Sequence, residues 1–257
     1  MKKLSLIGMG IVNERSIPLL GLDRLKEANL IFAELFTSIL EEGSLERLSQ
    51  LAGKEIRLLD REDVEETEMV LGAFENADRI CFLTAGDPLS ATTHQEMRLD
   101  AEKRGVEVEI INAASIFTAA PGISGLQQYK FGRTTTLAFP EEGFFPTSPL
   151  DVIESNLERG LHSLVLLDIQ AHRDRYMSAP EGAALLLRMV EKKGGSPIGP
   201  ETMMVAVARA GHHDRKLVYS SLGKLSNMSL GPPPHCLIIP GKLHFLEEEV
   251  LDSFRVE

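Results

Sequence analysis

Ile80-Cys81-Phe82-Leu83-Thr84-Ala85-Gly86-Asp87-Pro88-Leu89-Ser90-Ala91-Thr92-Thr93-His94 is the stretch from which the fold of this chain can be read. It opens as a short apolar run, the pattern of a buried strand. The run stops at Gly86-Asp87-Pro88, a sharp turn that carries one carboxylate. Small polar residues follow, and a helix-like segment covers residues 92–104. In an open α/β sheet, ligands bind outside the carboxyl ends of the strands. Asp87 therefore stands where a small-molecule site is expected.

The same alternation extends in both directions. Strand-like runs lie at residues 4–7, 30–32, 55–59, 79–83 and 106–111. Helical spacing covers residues 19–28, with Leu19, Leu22 and Leu25 on one face, and residues 44–51, with Ser44 as the expected N-cap. Residues 62–75 read as a strongly acidic helix with a solvated face. This order predicts a mostly parallel sheet with helices on both faces. Residues 115–125 are rich in small residues. Further strand-like runs lie at residues 134–139, 164–169, 203–208, 218–220 and 236–239, with helices at residues 150–159 and 179–193. The expected organisation is an N-terminal α/β domain over residues 1–114, a helical connector over 115–133 and a C-terminal α/β domain over 134–257.

The 257 residues, 43% hydrophobic and 25% charged, have the balance of an ordinary globular protein. The formal net charge of −11 argues against a broad nucleic-acid surface, which needs basic residues. No apolar run approaches the roughly 18 residues of a membrane span. The start, Met1-Lys2-Lys3-Leu4-Ser5-Leu6-Ile7-Gly8, has too short an apolar part for a signal peptide and reads as a first strand. The two cysteines, Cys81 and Cys236, each sit in an apolar run and read as buried thiols. Such usage suits a reducing compartment.

Other chemistries find little support. Gly8-Met9-Gly10 follows the first strand, but the third glycine of a dinucleotide fingerprint is missing and no helix starts at once. It does suit a backbone that approaches a ligand closely. No Gly-x-Ser-x-Gly elbow and no phosphate-binding P-loop occur. His94, His162, His212, His213 and His235 are candidates for acid/base work or metal, yet none has ligand spacing and no Cys-x-x-Cys accompanies them. No metal is expected. His235 follows Gly231-Pro232-Pro233-Pro234 on a stiff turn entering a strand. For Asp87 two readings stand together: a turn-former that satisfies its own backbone, and a ligand contact.

Several linked motifs then carry a resemblance over nearly the full length. They are Gly8-Met9-Gly10-Ile11-x-x-Glu14-Arg15, Glu34-x-x-Thr37-Ser38, Gly86-Asp87-Pro88-x-x-Ala91-Thr92-Thr93-His94 and Ala114-Ser115-Ile116. Gly125-Leu126-Gln127-x-Tyr129-x-Phe131-Gly132, Gly160-Leu161-His162-x-Leu164-x-x-Leu167-Asp168-Ile169, Ala208-Arg209-Ala210-Gly211 and Pro233-Pro234-His235 complete the set. The chain resembles the tetrapyrrole methylase family of S-adenosylmethionine-dependent methyltransferases. Thr92-Thr93-His94 and Glu14-Arg15 point to the branch that works in diphthamide biosynthesis. Members that methylate corrin or uroporphyrin rings usually carry a Gly-x-Gly-Pro-Gly-Asp type of first loop. Ile11-Val12-Asn13-Glu14 replaces it here, which weighs against a ring substrate. Phe36 stands where that branch commonly has Tyr.

The resemblance implies two α/β domains with the cofactor cleft between them, in a cytoplasmic homodimer. It implies S-adenosyl-L-methionine as cofactor and S-adenosyl-L-homocysteine as product. It implies a protein substrate, translation elongation factor 2, whose 3-carboxy-3-aminopropyl-histidine side chain is methylated on its amine. Carried over by position, the cofactor residues are Ile11, Asp87, Ser90, Ser115, Ile116, Leu166, Arg209 and His235. No catalytic side chain is assigned, because methyl transfer chiefly needs alignment. The alternatives are a C-methyltransferase of a tetrapyrrole ring and a non-catalytic nucleotide-binding module.

Overall fold

Apolar runs of three to six residues become the strands of two five-stranded sheets. The computed structural model describes residues 1–65 and 68–256. The chain divides into two units, Met1–Ile116 with Ala171–Arg173, and Phe117–Gln170 with Asp174–Glu257.

The first unit runs β1 (Lys3–Gly8), α1 (Leu19–Glu27), β2 (Leu30–Glu34), α2 (Ser44–Ala52), β3 (Arg57–Leu59), α3 (Arg61–Glu65), α4 (Glu68–Leu71), β4 (Arg79–Thr84), α5 (Gln95–Lys103) and β5 (Glu107–Ile111). Its sheet has the order β3-β2-β4-β1-β5 and every pairing is parallel. Side chains alternate across a strand, so each apolar run feeds two cores. Leu4, Leu6, Phe32, Ile80 and Phe82 pack on one face. Ile7, Ile31, Ala33, Cys81 and Leu83 pack on the other. Because the strands are parallel, the loops leaving β1, β4 and β5 emerge at one edge of the sheet.

Local expectations need three corrections in this unit. Ser44 is the first helical residue and not the N-cap; Gly43 takes that place in left-handed conformation, φ 75°, and the Ser44 hydroxyl donates to the Glu41 carbonyl. The segment 62–75 is not one helix: it contains α3, α4 and a 3-10 turn at Gly72–Glu75, and residues 66 and 67 lie outside the described residues. Leu19 is 81% exposed, so the buried side of α1 is carried by Gly21 and Leu25.

The second unit contains most of α6 (Ile116–Ser124), then β6 (Thr135–Leu137), α7 (Ser148–Glu158), β7 (Ser163–Leu167), β8 (Ile169–Gln170), β9 (Arg175–Tyr176), α8 (Ala179–Lys193), β10 (Met203–Ala208), β11 (Lys216–Ser221), α9 (Leu222–Leu225), β12 (His235–Ile239) and α10 (Phe245–Asp252). The main sheet has the order β11-β10-β12-β7-β6. Here β6 pairs parallel with β7, while β7–β12, β12–β10 and β10–β11 are antiparallel. A short loop after β10 can return only as an antiparallel neighbour, which the apolar pattern does not encode. The run 164–169 breaks at Asp168, whose carboxylate accepts from the Phe139 backbone N–H at 2.9 Å. The segment 115–133 holds α6 and a 3-10 turn at Gln128–Lys130.

Two local devices shape this unit. Ser178 and Glu181 form a reciprocal capping box at the start of α8. Gly182 lets α8 approach the sheet, since a Cβ there would lie 2.7 Å from Leu167 Cδ2. The C-terminal helix α10 is tied in through buried Glu247. Its carboxylate accepts from the Gln127 N–H at 2.8 Å, the His244 N–H at 2.7 Å, His162 Nε2 at 3.0 Å and the Lys130 ammonium. Burial pushes the Glu247 carboxyl up, but the Lys130 ammonium and these N–H donors prevail and hold it near about 2.

Candidate functional site

The loops after β1 and β4 are stitched directly together. Gly10 and Gly86 exchange backbone hydrogen bonds, Gly10 N to Gly86 O at 3.1 Å and Gly86 N to Gly10 O at 2.7 Å. Both glycines are left-handed, with φ of 76° and 75°. Gly8 has no room for a side chain: a Cβ would lie 2.5 Å from Gly86 O and 2.7 Å from Ala113 Cβ. Around Gly86, by contrast, a Cβ would meet no atom within 4 Å. The turn is braced from behind and open on one side. Ile11, half-buried, follows this bridge.

Asp87 is the clasp of the arrangement. It is 8% exposed, and its two carboxylate oxygens accept from four donors. Oδ1 takes the Leu89 N–H at 3.2 Å and the Ser90 hydroxyl at 3.1 Å. Oδ2 takes Asn112 Nδ2 at 2.8 Å and the Ala113 N–H at 3.4 Å. A carboxylate has about four acceptor sites, so the protein itself uses the full capacity. One oxygen shapes the turn after β4. The other joins it to the segment that leaves β5 and leads to buried Ser115 and to Ile116, where α6 begins. Asn112 was not singled out from sequence; its only signal there is a polar residue closing an apolar strand.

The Thr92-Thr93-His94 motif also folds back on this turn. The Pro88 carbonyl accepts from Thr92 Oγ1 at 2.8 Å and from His94 Nδ1 at 3.0 Å. Ala91 reverses the chain with φ 59°, a conformation uncommon without glycine. His94 is 1% exposed and stacks edge-on against Phe82, with 5.0 Å between ring centroids. Burial lowers its pKa.

The remaining expected residues lie in the second unit and are described there by themselves. Leu166 is half-buried one residue before the end of β7, between buried Val165 and Leu167. Arg209 is left-handed at φ 55°. Its Nε donates to Asp214 Oδ1 at 2.8 Å, its Nη2 meets His212 Nδ1 at 3.0 Å, and its backbone N–H donates to Pro234 O at 2.8 Å. His235 uses both ring nitrogens: Nδ1 accepts from the Ala179 N–H at 3.0 Å and Nε2 donates to Pro232 O at 2.9 Å. It therefore caps α8 as a neutral imidazole, and burial lowers its pKa. His162 is fully buried against Glu247, His212 is buried, and His213 is exposed. Cys81 and Cys236 are buried, and loss of hydration pushes both thiols up to about 12. Among the described residues, no three His, Cys, Asp or Glu side chains gather as a metal site, and no helix is long and apolar enough to cross a membrane.

The donor set suits a ligand held by backbone and small residues. The first-unit edge offers the open face of Gly86, the buried Ser115, and the start of α6 at Ile116, all held by Asp87 rather than by mobile side chains. Residues 3–226 match the model of the Tetrapyrrole (Corrin/Porphyrin) Methylases. The chain belongs to this tetrapyrrole methylase family and is an S-adenosylmethionine-dependent methyltransferase.

Within the family its relatives are diphthine synthases. The diphthine synthase of Methanococcus aeolicus is 47% identical over 247 residues, covering 96% of this chain and 95% of the relative. A solved Entamoeba histolytica protein, provisionally assigned as a diphthine synthase, superposes with a TM-score of 0.92 at 32% identity and full coverage of both chains. A second solved diphthine synthase gives a TM-score of 0.88 at 30% identity, over 99% of this chain and 96% of the other.

Proposed function

We propose that this protein carries out the diphthine synthase reaction, methylating the amine of the 3-carboxy-3-aminopropyl-histidine side chain of translation elongation factor 2. The observation that carries this reading is the near-complete match to diphthine synthases, at 47% identity over 96% of the chain. The first loop supports it, because Ile11-Val12-Asn13-Glu14 replaces the pattern usual in ring methylases. The same reading has the enzyme acting as a cytoplasmic homodimer.

S-adenosylmethionine, when bound, supplies a methyl group on a sulfonium and leaves as the neutral sulfide S-adenosylhomocysteine. The residues proposed to hold it in the first unit are Ile11, Asp87, Ser90, Ser115 and Ile116. Asp87 works by fixing the turn with Ser90 and the segment that reaches Ser115, so backbone and hydroxyl groups are preset. Leu166, Arg209 and His235 are proposed contacts from the second unit. Arg209 and His235 are held there by Asp214, His212, Pro232 and Ala179. Alignment at near-attack distance can supply roughly 7–11 kcal/mol of a transfer barrier. A rigid, backbone-lined site is suited to that work.

The test is direct. Purified protein is incubated with S-adenosylmethionine and elongation factor 2 bearing the intermediate side chain, and the mass of the factor is followed. Stepwise gains of one methyl mass are expected. No gain, on a factor that another diphthine synthase does methylate, overturns the assignment.

A further inference from the structure

Glu34 and His94 are both buried, at 0% and 1% exposure, and the roles assigned so far do not involve Glu34 at all. His94 Nδ1 lies 3.0 Å from the Pro88 carbonyl, which can only accept, so Nδ1 carries the proton. Thr84 Oγ1 shares that N–H at 3.3 Å. In a neutral ring, Nε2 is then a bare acceptor. It is buried and has no hydrogen-bond partner among the described residues. Across 3.9 Å it faces Glu34 Oε1.

Glu34 is otherwise well supplied. Its Oε2 accepts the N–H groups of Phe36 and Thr37 at 3.0 and 3.1 Å, and its Oε1 accepts the Thr37 hydroxyl at 2.5 Å. The open side of Oε1 is turned to the His94 ring. Two acceptors facing one another out of water are penalised unless a proton stands between them. An approach of about 1 Å would make an ordinary hydrogen bond.

We propose that one proton is held between Glu34 and His94, and that through it His94 is a positioning residue that keeps its Nδ1–H on the Pro88 carbonyl and the Gly86-Asp87-Pro88 turn in its cofactor-binding form. The proposal rests on the assignment of that turn to the cofactor. Burial raises the Glu34 carboxyl and lowers the His94 imidazole. Both directions favour a neutral pair over an ion pair, and the facing acceptors at 3.9 Å put its proton between Oε1 and Nε2. Of the elements around it, β4 contributes Phe82 and Thr84 and the turn contributes the Pro88 carbonyl. The start of α3 contributes the Arg61 charge, which favours ionised Glu34. Loss of the proton at alkaline pH leaves Nε2 facing a carboxylate. The ring can relieve this only by moving its proton to Nε2, which abandons Pro88.

Nitrogen-15 imidazole NMR of the ligand-free wild type reads the tautomer, with the His94 signal assigned by its loss in His94→Asn. Titration calorimetry with S-adenosylmethionine, from neutral into alkaline pH, reads the turn. The expected result is an Nδ1–H ring at neutral pH and an affinity that falls on the alkaline side. Glu34→Gln places a permanent N–H toward Nε2, so its affinity should stay within about threefold of wild type and lose the alkaline decline. His94→Asn keeps a donor for Pro88 and should also stay within about threefold, while His94→Leu should weaken binding about tenfold. An Nε2–H ring at neutral pH overturns the proposal, as does an alkaline decline that persists in Glu34→Gln. The NMR result stands even if His94→Leu does not fold. A wild type that binds no cofactor, yet shows the Nδ1–H ring with a Glu34-dependent alkaline change, overturns the cofactor assignment and supports the shared proton.

Discussion

Replacing Asp87 by Asn and by Ala separates a clasp from a contact. The native carboxylate accepts from Leu89 N, Ser90 Oγ, Asn112 Nδ2 and Ala113 N. Asparagine keeps one acceptor oxygen. Its best placement turns that oxygen to Asn112, the shortest partner at 2.8 Å, and leaves its NH2 facing Leu89 and Ser90. The Ser90 hydroxyl can rotate and accept; the Leu89 N–H cannot. One N–H is stranded and a charge-assisted acceptor is lost, a cost of about 2 kcal/mol. Alanine strands all four donors, but the exposed Asn112 amide and the Ser90 hydroxyl regain water, so about 3 kcal/mol is expected rather than a simple sum. Urea unfolding should show the order wild type, Asn, Ala in midpoint. Titration calorimetry with S-adenosylmethionine should show the same order in affinity. If Asp87→Ala unfolds like the wild type while cofactor binding is abolished, the clasp account is wrong.

Three further outcomes follow from the geometry. Gly8→Ala forces a Cβ to within 2.5 Å of Gly86 O, so the stitched loops must part; a stability loss of about 2 kcal/mol and a clear loss of cofactor affinity are expected by urea unfolding and calorimetry. Glu247, held near about 2 in the folded chain, contributes stability that is complete above its unfolded range near 4.5 and is lost as pH falls toward 2. Glu247→Gln should remove roughly 3 kcal/mol at most at neutral pH and flatten that acid limb in denaturant titrations from pH 7 downward. His235 is lowered by burial, so its contribution is complete above the ordinary histidine range and is lost on acidification, when a proton on Nδ1 displaces the Ala179 N–H. His235→Ala should cost about 2 kcal/mol and remove this dependence, which thermal melts at stepped pH would show.

Much of the fold was legible because it is written locally. Predominantly apolar runs such as Leu4-Ser5-Leu6-Ile7 and Ile80-Cys81-Phe82-Leu83 became β1 and β4, buried on both faces. The helix Ala179–Lys193 was read with its observed ends, where the structure puts the Ser178 cap, Pro180 in the first turn and Gly194 after the last. The acidic stretch 62–75 misled because its composition suits a helix while Gly72 and the buried Phe74 belong to a 3-10 turn. The helix Phe245–Asp252 was not read at all. Its anchor, Glu247, bonds to residues 85 and 120 positions earlier.

By itself the sequence determined most of the strands and several of the helices, where the turn Gly86-Asp87-Pro88 falls, and which family motifs surround it. Those features depend on neighbours within a few residues, so periodicity and turn chemistry report them. Tertiary structure alone decided the rest. It made the second sheet largely antiparallel, joined Gly10 to Gly86, brought Asn112 to Asp87, set Glu34 opposite His94 and placed the His235 ring on the Ala179 N–H. Each of these is a directional contact between distant segments. An apolar pattern says only that a strand is buried, never beside which strand, and a polar side chain does not reveal its partner until the backbone has brought one within hydrogen-bond reach.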